Sequence, residues 1–263
     1  MTIHAFQSNV VRLDARVYGT DGYLPGVAQD QQKWFRHLTR IGADIRSETN
    51  TTVDQFSNAI SQLAQSAMPG DLVIIQHSGH GTWQRDQNGD EEDGRDEVLC
   101  FHDNTLLDDA VWRLLLLFRT GVNVLFIIDT CHSGTGFRSL FPRLETRVLD
   151  PTELNCSLVA IGTCNDQQTA ADTPDGGAGT QALLATWNLA SDYRGWALKA
   201  QNWLARNRFR QELTLSEVNA DLFAAQKPFS VESKPTPPVP VNEAVAESVT
   251  ITFSDGNSQT YRW

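Results

Sequence analysis

The chain has 263 residues, of which 40% are hydrophobic and 20% are charged, a composition typical of a soluble protein with one large domain and a substantial core. Its formal net charge of −11 argues against nonspecific nucleic-acid binding and is compatible with basic partners. The sequence begins Met1-Thr2-Ile3-His4 without a secretory leader, and no apolar run reaches about 18 residues, so we expect no membrane association and a cytoplasmic location.

Strands and helices alternate along most of the chain. Strands are predicted at residues 3–6, 43–46, 72–76, 98–101, 122–128 and 158–161. Helices are predicted at residues 27–41, 51–67, 107–119, 180–189 and 214–225. This alternation predicts an α/β fold whose sheet is largely parallel and covered by helices on both faces.

Two helix starts are predicted from local capping signals. Thr51, with Asp54 three residues on, resembles an N-cap pair for the helix that ends at Ala67. The run Thr214-Leu215-Ser216-Glu217 fits a capping box for a helix that ends near Ala225.

Two segments near the C-terminus stand apart from this alternation. Residues 187–211 carry three tryptophans among five basic residues, and we interpret them as an insertion, either an amphipathic surface segment or a flap over a binding site. Residues 228–240 hold five of the ten prolines and predict an extended linker. Strand-like runs at 248–253 and 259–263 predict a hairpin, which we expect to dock on the main domain because a lone hairpin is marginal in water.

The four cysteines are scattered through predicted strands and turns, without the density of a disulfide scaffold or the spacing of a metal site. We therefore interpret them as thiols rather than disulfides. They are Cys100, Cys131, Cys156 and Cys164.

Two of the predicted strands run into short turns that carry chemistry. The first ends in His77-Ser78-Gly79-His80-Gly81, and the second in Asp129-Thr130-Cys131-His132-Ser133-Gly134. The carboxyl edge of a parallel sheet is where such folds present reactive side chains. A thiol needs a nearby imidazole to raise its thiolate fraction and to protonate a leaving amine, and these turns supply both groups.

At these residues the chain resembles the caspase-like clan of cysteine peptidases, and within it the metacaspases and their prokaryotic relatives. The histidine roughly 50 residues before the cysteine agrees with that clan. Four motifs carry the resemblance in the family's order: Ser78-Gly79-His80-Gly81, the acidic run 90–97, Asp129-Thr130-Cys131-His132-Ser133-Gly134, and the run 162–172 followed by Gly176-Gly177-Ala178.

The resemblance covers roughly residues 1–225 and implies a caspase-like fold with a mainly parallel six-stranded central sheet. We divide the chain into a catalytic domain at 1–226, a Pro-rich linker at 227–247 and a C-terminal hairpin at 248–263. Within the catalytic domain, a large-subunit-like part covers about 1–150 and a small-subunit-like part about 151–226.

The resemblance also implies roles for individual residues. Cys131 is the nucleophile, and His80 is the general acid and base, whereas His77 and His132 are interpreted as structural. The backbone N–H groups of Gly81 and Cys131 form the oxyanion hole.

The family cuts after Arg or Lys, which requires carboxylates at the floor of a pocket. Asp129 matches the first of them, two positions before the nucleophile. Asp30 matches the second through the looser motif 26–30, and a carboxylate in the first turn of a helix, favoured by the helix dipole, is the alternative interpretation. Ser78 matches a residue that lines the same pocket. Asp172 receives no catalytic role.

The acidic run invites a calcium interpretation, because Asp86, Asn88, Asp90 and Glu97 stand at positions 1, 3, 5 and 12 of an EF-hand loop. Glu91 occupies the sixth position, which requires glycine, so we reject an EF-hand. Metacaspases bind calcium through aspartates of separate loops, to which Asp96, Asp108 and Asp109 correspond. The aspartate expected several residues after the nucleophile is missing, with Phe137-Arg138 there instead, so no cofactor is required and calcium is not expected to be essential.

These features predict a monomeric cysteine endopeptidase that cuts proteins or peptides after Arg, or less well after Lys, and that either cleaves itself or is active as an uncut chain. Two alternatives remain open. One is a noncatalytic caspase-like interaction module, and the other is a peptidase of the same clan with a different side-chain preference.

Overall fold

The computed structural model describes residues 1–85, 95–130, 154–163, 172–173, 175–230, 248–252 and 258–262. The strands in chain order are β1 (Ile3–Asn9), β2 (Asp44–Thr49), β3 (Leu72–Arg85), β4 (Arg95–Cys100), β5 (Thr105–Leu107), β6 (Asn123–Thr130), β7 (Ser157–Gly162), β8 (Asp172–Thr173), β9 (Gly176–Gly177), β10 (Thr214–Val218), β11 (Ser248–Thr252) and β12 (Ser258–Arg262). The helices are α1 (Ala15–Tyr18), α2 (Pro25–Arg40), α3 (Val53–Ser66), α4 (Asp108–Leu115), α5 (Ala178–Thr186), α6 (Tyr193–Arg206) and α7 (Asp221–Ala224).

Six strands form the central sheet in the order β10-β7-β6-β3-β1-β2. The pairs β1–β2, β1–β3, β3–β6 and β6–β7 are parallel, and only the edge strand β10 runs antiparallel to its neighbour. The predicted mainly parallel sheet of six strands is therefore confirmed.

Helices cover both faces of the sheet. Side chains alternate between the two faces along every strand, so each face presents apolar side chains that need a covering layer. Val124 and Phe126 of β6 point into one core, which α3 and α4 cover. Leu125 and Ile127 point into the other core, which α2, α5 and α6 cover. The carboxyl ends of the parallel strands therefore lie between the two layers of helices.

Strand β3 is longer than the sequence predicts, and it changes partners along its length. Up to Gly79 it pairs with β6, and from His80 onwards it pairs with β4, which in turn pairs with β5. The turn predicted at 77–81 is therefore wrong, because a second set of backbone partners keeps the chain extended. The strand predicted at 98–101 is real, but it belongs to this antiparallel extension and not to the central sheet.

Residues 187–211 are neither a flap nor a surface insertion. Most of them form α6, and Trp196 of this helix is fully buried, with its Nε1 donating to the Leu183 carbonyl oxygen at 2.9 Å. Tyr193, Trp196, Ala200 and Leu204 form the buried face of this helix and belong to the core that covers the sheet, whereas Leu198 is exposed.

Both predicted caps are corrected. Thr52, and not Thr51, caps α3: its Oγ1 accepts from the Gln55 N–H, and the Gln55 side chain accepts from the Thr52 N–H. Thr51 instead accepts from the Asn9 N–H. The supposed capping box at 214–217 lies in β10, because pairing with β7 outweighs the local helix signal.

The C-terminal strands β11 and β12 form an antiparallel hairpin, and β11 lies against α4. Residues 231–247, which include most of the predicted linker, are outside the described residues. Across the described ranges, no helix combines the length and apolar character needed to span a bilayer.

Candidate active site

The ends of β3 and β6 bring the two predicted catalytic segments together. Ser78 is opposite Asp129 in the parallel register, and Gly79 is opposite Thr130. His80 follows Gly79 directly, and Cys131 follows Thr130. Cys131 and His132 themselves lie outside the described residues, so the register gives the positions only of the residues that precede them.

His80 is oriented by a backbone carbonyl. Its Nε2 lies 2.6 Å from the Gly22 oxygen, and because a carbonyl only accepts, Nε2 carries the proton of this bond. In the neutral ring, Nδ1 is then the nitrogen that can accept a proton. Gly22 has a φ of +44°, and a Cβ there would lie 2.8 Å from Leu13 Cδ1 and 3.0 Å from His80 Nε2. Glycine thus permits this approach, a contact that the sequence does not signal.

His77 occupies a different environment. It is fully buried against Phe56 and Phe101, and its Nδ1 lies 2.9 Å from the Ser8 hydroxyl oxygen. Burial lowers its pKa to about 3, which keeps the ring neutral in the fold. This environment fits the structural interpretation of His77.

Asp129 is buried at the end of β6 and accepts hydrogen bonds from two threonines. Its Oδ1 accepts from the Thr163 hydroxyl at 2.5 Å. Its Oδ2 accepts from the Thr180 N–H at 2.9 Å and from the Thr180 hydroxyl at 2.7 Å. The carboxylate is thus held in one orientation by the end of β7 and the first turn of α5.

Asp30 lies on α2 and is only 2% exposed. Its Oδ1 accepts from the Gly177 N–H at 2.9 Å. A Cβ built on Gly177 would lie 2.6 Å from Oδ2 of Asp129 and 3.1 Å from Oδ2 of Asp30. The structure therefore brings the carboxylates of the firm and the looser predicted pocket residues close to one glycine.

Ser78 shares the Asp129 face of the sheet because the two residues are paired in register. It is fully buried, and its hydroxyl accepts from the Gln76 side-chain nitrogen at 2.6 Å. Gly81 is paired with Leu99 of β4, one residue beyond His80. Both residues are therefore at the same edge as the predicted catalytic segments.

Three residues of this site were missed by the sequence interpretation: Thr163, Gly177 and Thr180. Thr163 and Gly177 belong to motifs that carry the family resemblance, but those motifs do not predict which side chains the two residues contact. Thr180 was predicted only as a helix start. The signal that the motifs offered was their position after β7 and before α5, at the edge where β6 also ends.

Two cysteines other than the predicted nucleophile lie within the described residues. Cys100 and Cys156 are buried and form no disulfide. Burial raises the pKa of Cys156 to about 12, so its thiolate is suppressed at neutral pH. Cys164 lies outside the described residues.

Of the predicted calcium ligands, Asp108 and Asp109 are adjacent in the first turn of α4, where the Asp109 N–H donates to Asp108 Oδ1 at 2.8 Å. Asp96 is opposite Gln84 in the β3–β4 pair, and its side chain is outside the described residues. Within the described part of the chain, no three His, Cys, Asp or Glu side chains are grouped so as to hold a metal ion.

Comparison with known proteins shows similarity to one family of peptidases. The model of the metacaspase, peptidase C14 domain matches residues 29–139, a segment that contains Asp30, His80, Asp129 and Cys131. The chain is 27% identical to metacaspase-3 of Trypanosoma brucei brucei, over 82% of this chain and 73% of that protein. The chain is therefore similar to the metacaspases over the segment that carries the candidate site. Metacaspases of this type are caspase-like cysteine peptidases, and the class of this chain is therefore that of a cysteine peptidase.

A metacaspase from a plant and two solved structures extend the comparison. Metacaspase-1 of Arabidopsis thaliana is 35% identical over 46% of this chain, but the match spans only 38% of the plant protein. A protein from Geobacter sulfurreducens shares the fold with a TM-score of 0.75 at 24% identity, over 89% of this chain and 100% of that one. Caspase-1 of Spodoptera frugiperda has a TM-score of 0.61 at 15% identity, over 82% and 86%. These structures confirm the caspase-like fold of this chain.

Proposed function

We propose that this chain hydrolyses peptide bonds after Arg, and less efficiently after Lys, with Cys131 as nucleophile and His80 as general acid and base. The observation that carries the proposal is the convergence of Asp30 and Asp129 about Gly177, at the sheet edge where β3 reaches His80. Two buried carboxylates side by side repel each other, and a cation between them relieves that repulsion. The pair therefore favours a basic side chain before the scissile bond.

The side chain of arginine suits such a pair better than that of lysine. A guanidinium is planar and carries five N–H donors, so it can donate to carboxylates on two sides at once. A lysine ammonium is a point charge on a flexible stem and satisfies the same two carboxylates with less geometric fit. An aspartate before the scissile bond would add a third negative charge, and such substrates should be poor.

The proposed reaction begins with transfer of the Cys131 thiol proton to Nδ1 of His80, while Nε2–H stays bonded to the Gly22 carbonyl. The thiolate attacks the carbonyl carbon, and the N–H groups of Gly81 and Cys131 stabilise the oxyanion. The C–N bond then breaks as His80 protonates the departing amine, which leaves a thioester. Water, deprotonated by His80, attacks the thioester, and the Cys131 sulfur departs and regains its proton.

The test is hydrolysis of fluorogenic peptides with Arg, Lys, Asp or Asn before the reporter group. Cys131→Ala and His80→Ala should each abolish hydrolysis, and Cys156→Ala, which removes a buried thiol remote from this reaction, is the matched control. Asp30→Asn and Asp129→Asn should each reduce Arg cleavage by about 10- to 150-fold, since each removes a charge-assisted contact of roughly 1.5 to 3 kcal/mol. Asn is preferred to Ala at position 129 because its carbonyl oxygen retains an acceptor for the Thr180 N–H.

Two results would contradict the proposal. The first is hydrolysis that survives in Cys131→Ala at the wild-type rate. The second is a wild-type preference for Asp over Arg. We further propose that the enzyme is active without added metal, and the same peptide assay with a chelator tests this. We also propose that the protein is cytoplasmic and monomeric.

A further inference from the structure

Helix α5 begins without a cap from its own sequence. Its N-cap residue is Gly177, which has no side chain to accept from the first N–H groups of the helix. Asp129, from a strand 51 residues earlier, supplies the acceptor instead through the Thr180 N–H. The carboxylate therefore lies at the positive end of the α5 dipole, where a negative charge is stabilised.

The Thr180 hydroxyl adds a second bond whose direction is determined by Trp34. Trp34 lies on α2, one turn after Asp30, and its Nε1 donates to Thr180 Oγ1 at 3.2 Å. An indole N–H can only donate, so the Thr180 hydroxyl accepts from it and directs its own hydrogen to Asp129. This chain of bonds links the helix that carries Asp30 to the carboxylate of Asp129.

Thr163 holds the other carboxylate oxygen. Its hydroxyl donates to Asp129 Oδ1 from the end of β7. The first turn of α5 packs closely against this threonine. A Cβ on Gly179 would lie 2.2 Å from Thr163 Cβ, so glycine is what allows the first turn of α5 to pack there. Both oxygens of Asp129 are thus bonded by hydroxyl groups from opposite sides, which prevents rotation of the carboxylate.

We propose that Thr163 and Thr180 are positioning residues that hold the Asp129 carboxylate in the orientation needed to bind the basic side chain of the substrate. This inference rests on the proposed Arg specificity. A carboxylate already held in place loses little conformational freedom when the guanidinium binds, and its charge is presented at one defined spot. Removal of either hydroxyl should therefore weaken substrate binding without altering the reacting groups.

The experiment measures kcat and KM of the full chain on an Arg peptide for Thr163→Val and Thr180→Val, which keep the side-chain shape but lose the hydroxyl. We expect KM to rise by about 10-fold in each, with kcat within about twofold of wild type. Thr163→Ser and Thr180→Ser restore the hydroxyl and should return KM towards the wild-type value. Thr186→Val is the matched control, because this buried threonine of α5 donates only to carbonyl oxygens of its own helix.

The outcomes separate the two proposals. If wild type cleaves Arg peptides and the valine variants keep the wild-type KM, the positioning role is refuted while the proposed function stands. An equal rise of KM in Thr186→Val would also refute it, because the effect would then come from helix stability. If wild type shows no Arg cleavage while Asp129→Asn behaves like wild type, the proposed function itself fails.

Discussion

A methyl group at position 177 should clash with the carboxylates of Asp129 and Asp30 in the candidate pocket. Gly177 has φ −61° and ψ 138°, a conformation open to any residue, so Gly177→Ala introduces no backbone strain. The new Cβ would lie 2.6 Å from Asp129 Oδ2, whereas ordinary contacts begin at 3.4 Å. The Asp129 carboxylate therefore has to retreat by several tenths of an ångström.

Three hydrogen bonds oppose that retreat, at 2.5, 2.7 and 2.9 Å from Thr163 and Thr180. Overpacking of this kind costs typically 1–3 kcal/mol, so the free energy of unfolding should fall by about that amount. The same displacement moves the charge away from the substrate's guanidinium. We expect kcat/KM for an Arg peptide to fall by about 10- to 100-fold, mainly through KM.

Initial-rate kinetics and urea unfolding of the same preparation measure both effects. Gly195→Ala is the matched control, because its Cβ would also lie close to a carboxylate, 3.2 Å from Asp192 Oδ1. Asp192 caps its helix by accepting from the Gly195 N–H. That variant should retain the wild-type KM. A Gly177→Ala enzyme with unchanged KM would refute the placement of the substrate's basic side chain between Asp30 and Asp129.

Three further outcomes are expected. Activity in excess chelator should stay within about threefold of that in millimolar calcium, because a calcium site needs several carboxylates and Arg138 stands near the place where one is missing; an enzyme that is dead in chelator and restored by calcium would contradict this. Self-cleavage should follow one of three arginines in the connection after the nucleophile, all outside the described residues, and mass spectrometry should find no such fragments in Cys131→Ala; equal fragments in both would point to a contaminating protease. These arginines are Arg138, Arg143 and Arg147. Burial lowers the pKa of His77 to about 3 in the fold, whereas in the unfolded chain it lies near 6.5, so below pH 6.5 the unfolded state binds the extra proton and stability is lost as pH falls. The loss from this residue should be about 1.4 kcal/mol per pH unit between roughly pH 6 and pH 4, and urea unfolding of His77→Gln should show a correspondingly smaller slope; an identical slope would contradict the assignment.

The parallel sheet was predictable because its central strands carry apolar runs and are separated by helical segments of the right length. The alternation along β6 places Leu125 and Phe126 on opposite faces, and both faces need cover. The same local reasoning failed at 214–217, where a plausible helix cap pairs with β7 as a strand. Local signals there were weak, and a partner more than 50 residues earlier in the chain decided the outcome.

The candidate site was predictable in part. Motif resemblance selected Asp30 and Asp129, although 99 residues separate them, and the structure brings them to one glycine. The groups that hold them could not be predicted, because Thr163 and Thr180 lie 34 and 51 residues from Asp129 and each resembles an ordinary helix or turn threonine in sequence. Such contacts depend on the packing of α5 against β7, which no local pattern encodes.

The described contacts between the two halves of the sheet are made by residues outside the segment that joins them. Six register pairs connect β6 with β7, from Asn123↔Ser157 to Ile128↔Gly162, and the helices α5 and α6 share the core of β1 and β3. A cut between residues 131 and 153 breaks one peptide bond and none of these contacts. The two fragments should therefore migrate as a single particle in native gel filtration and part only in denaturant, so particle size in solution says nothing about whether the chain is intact.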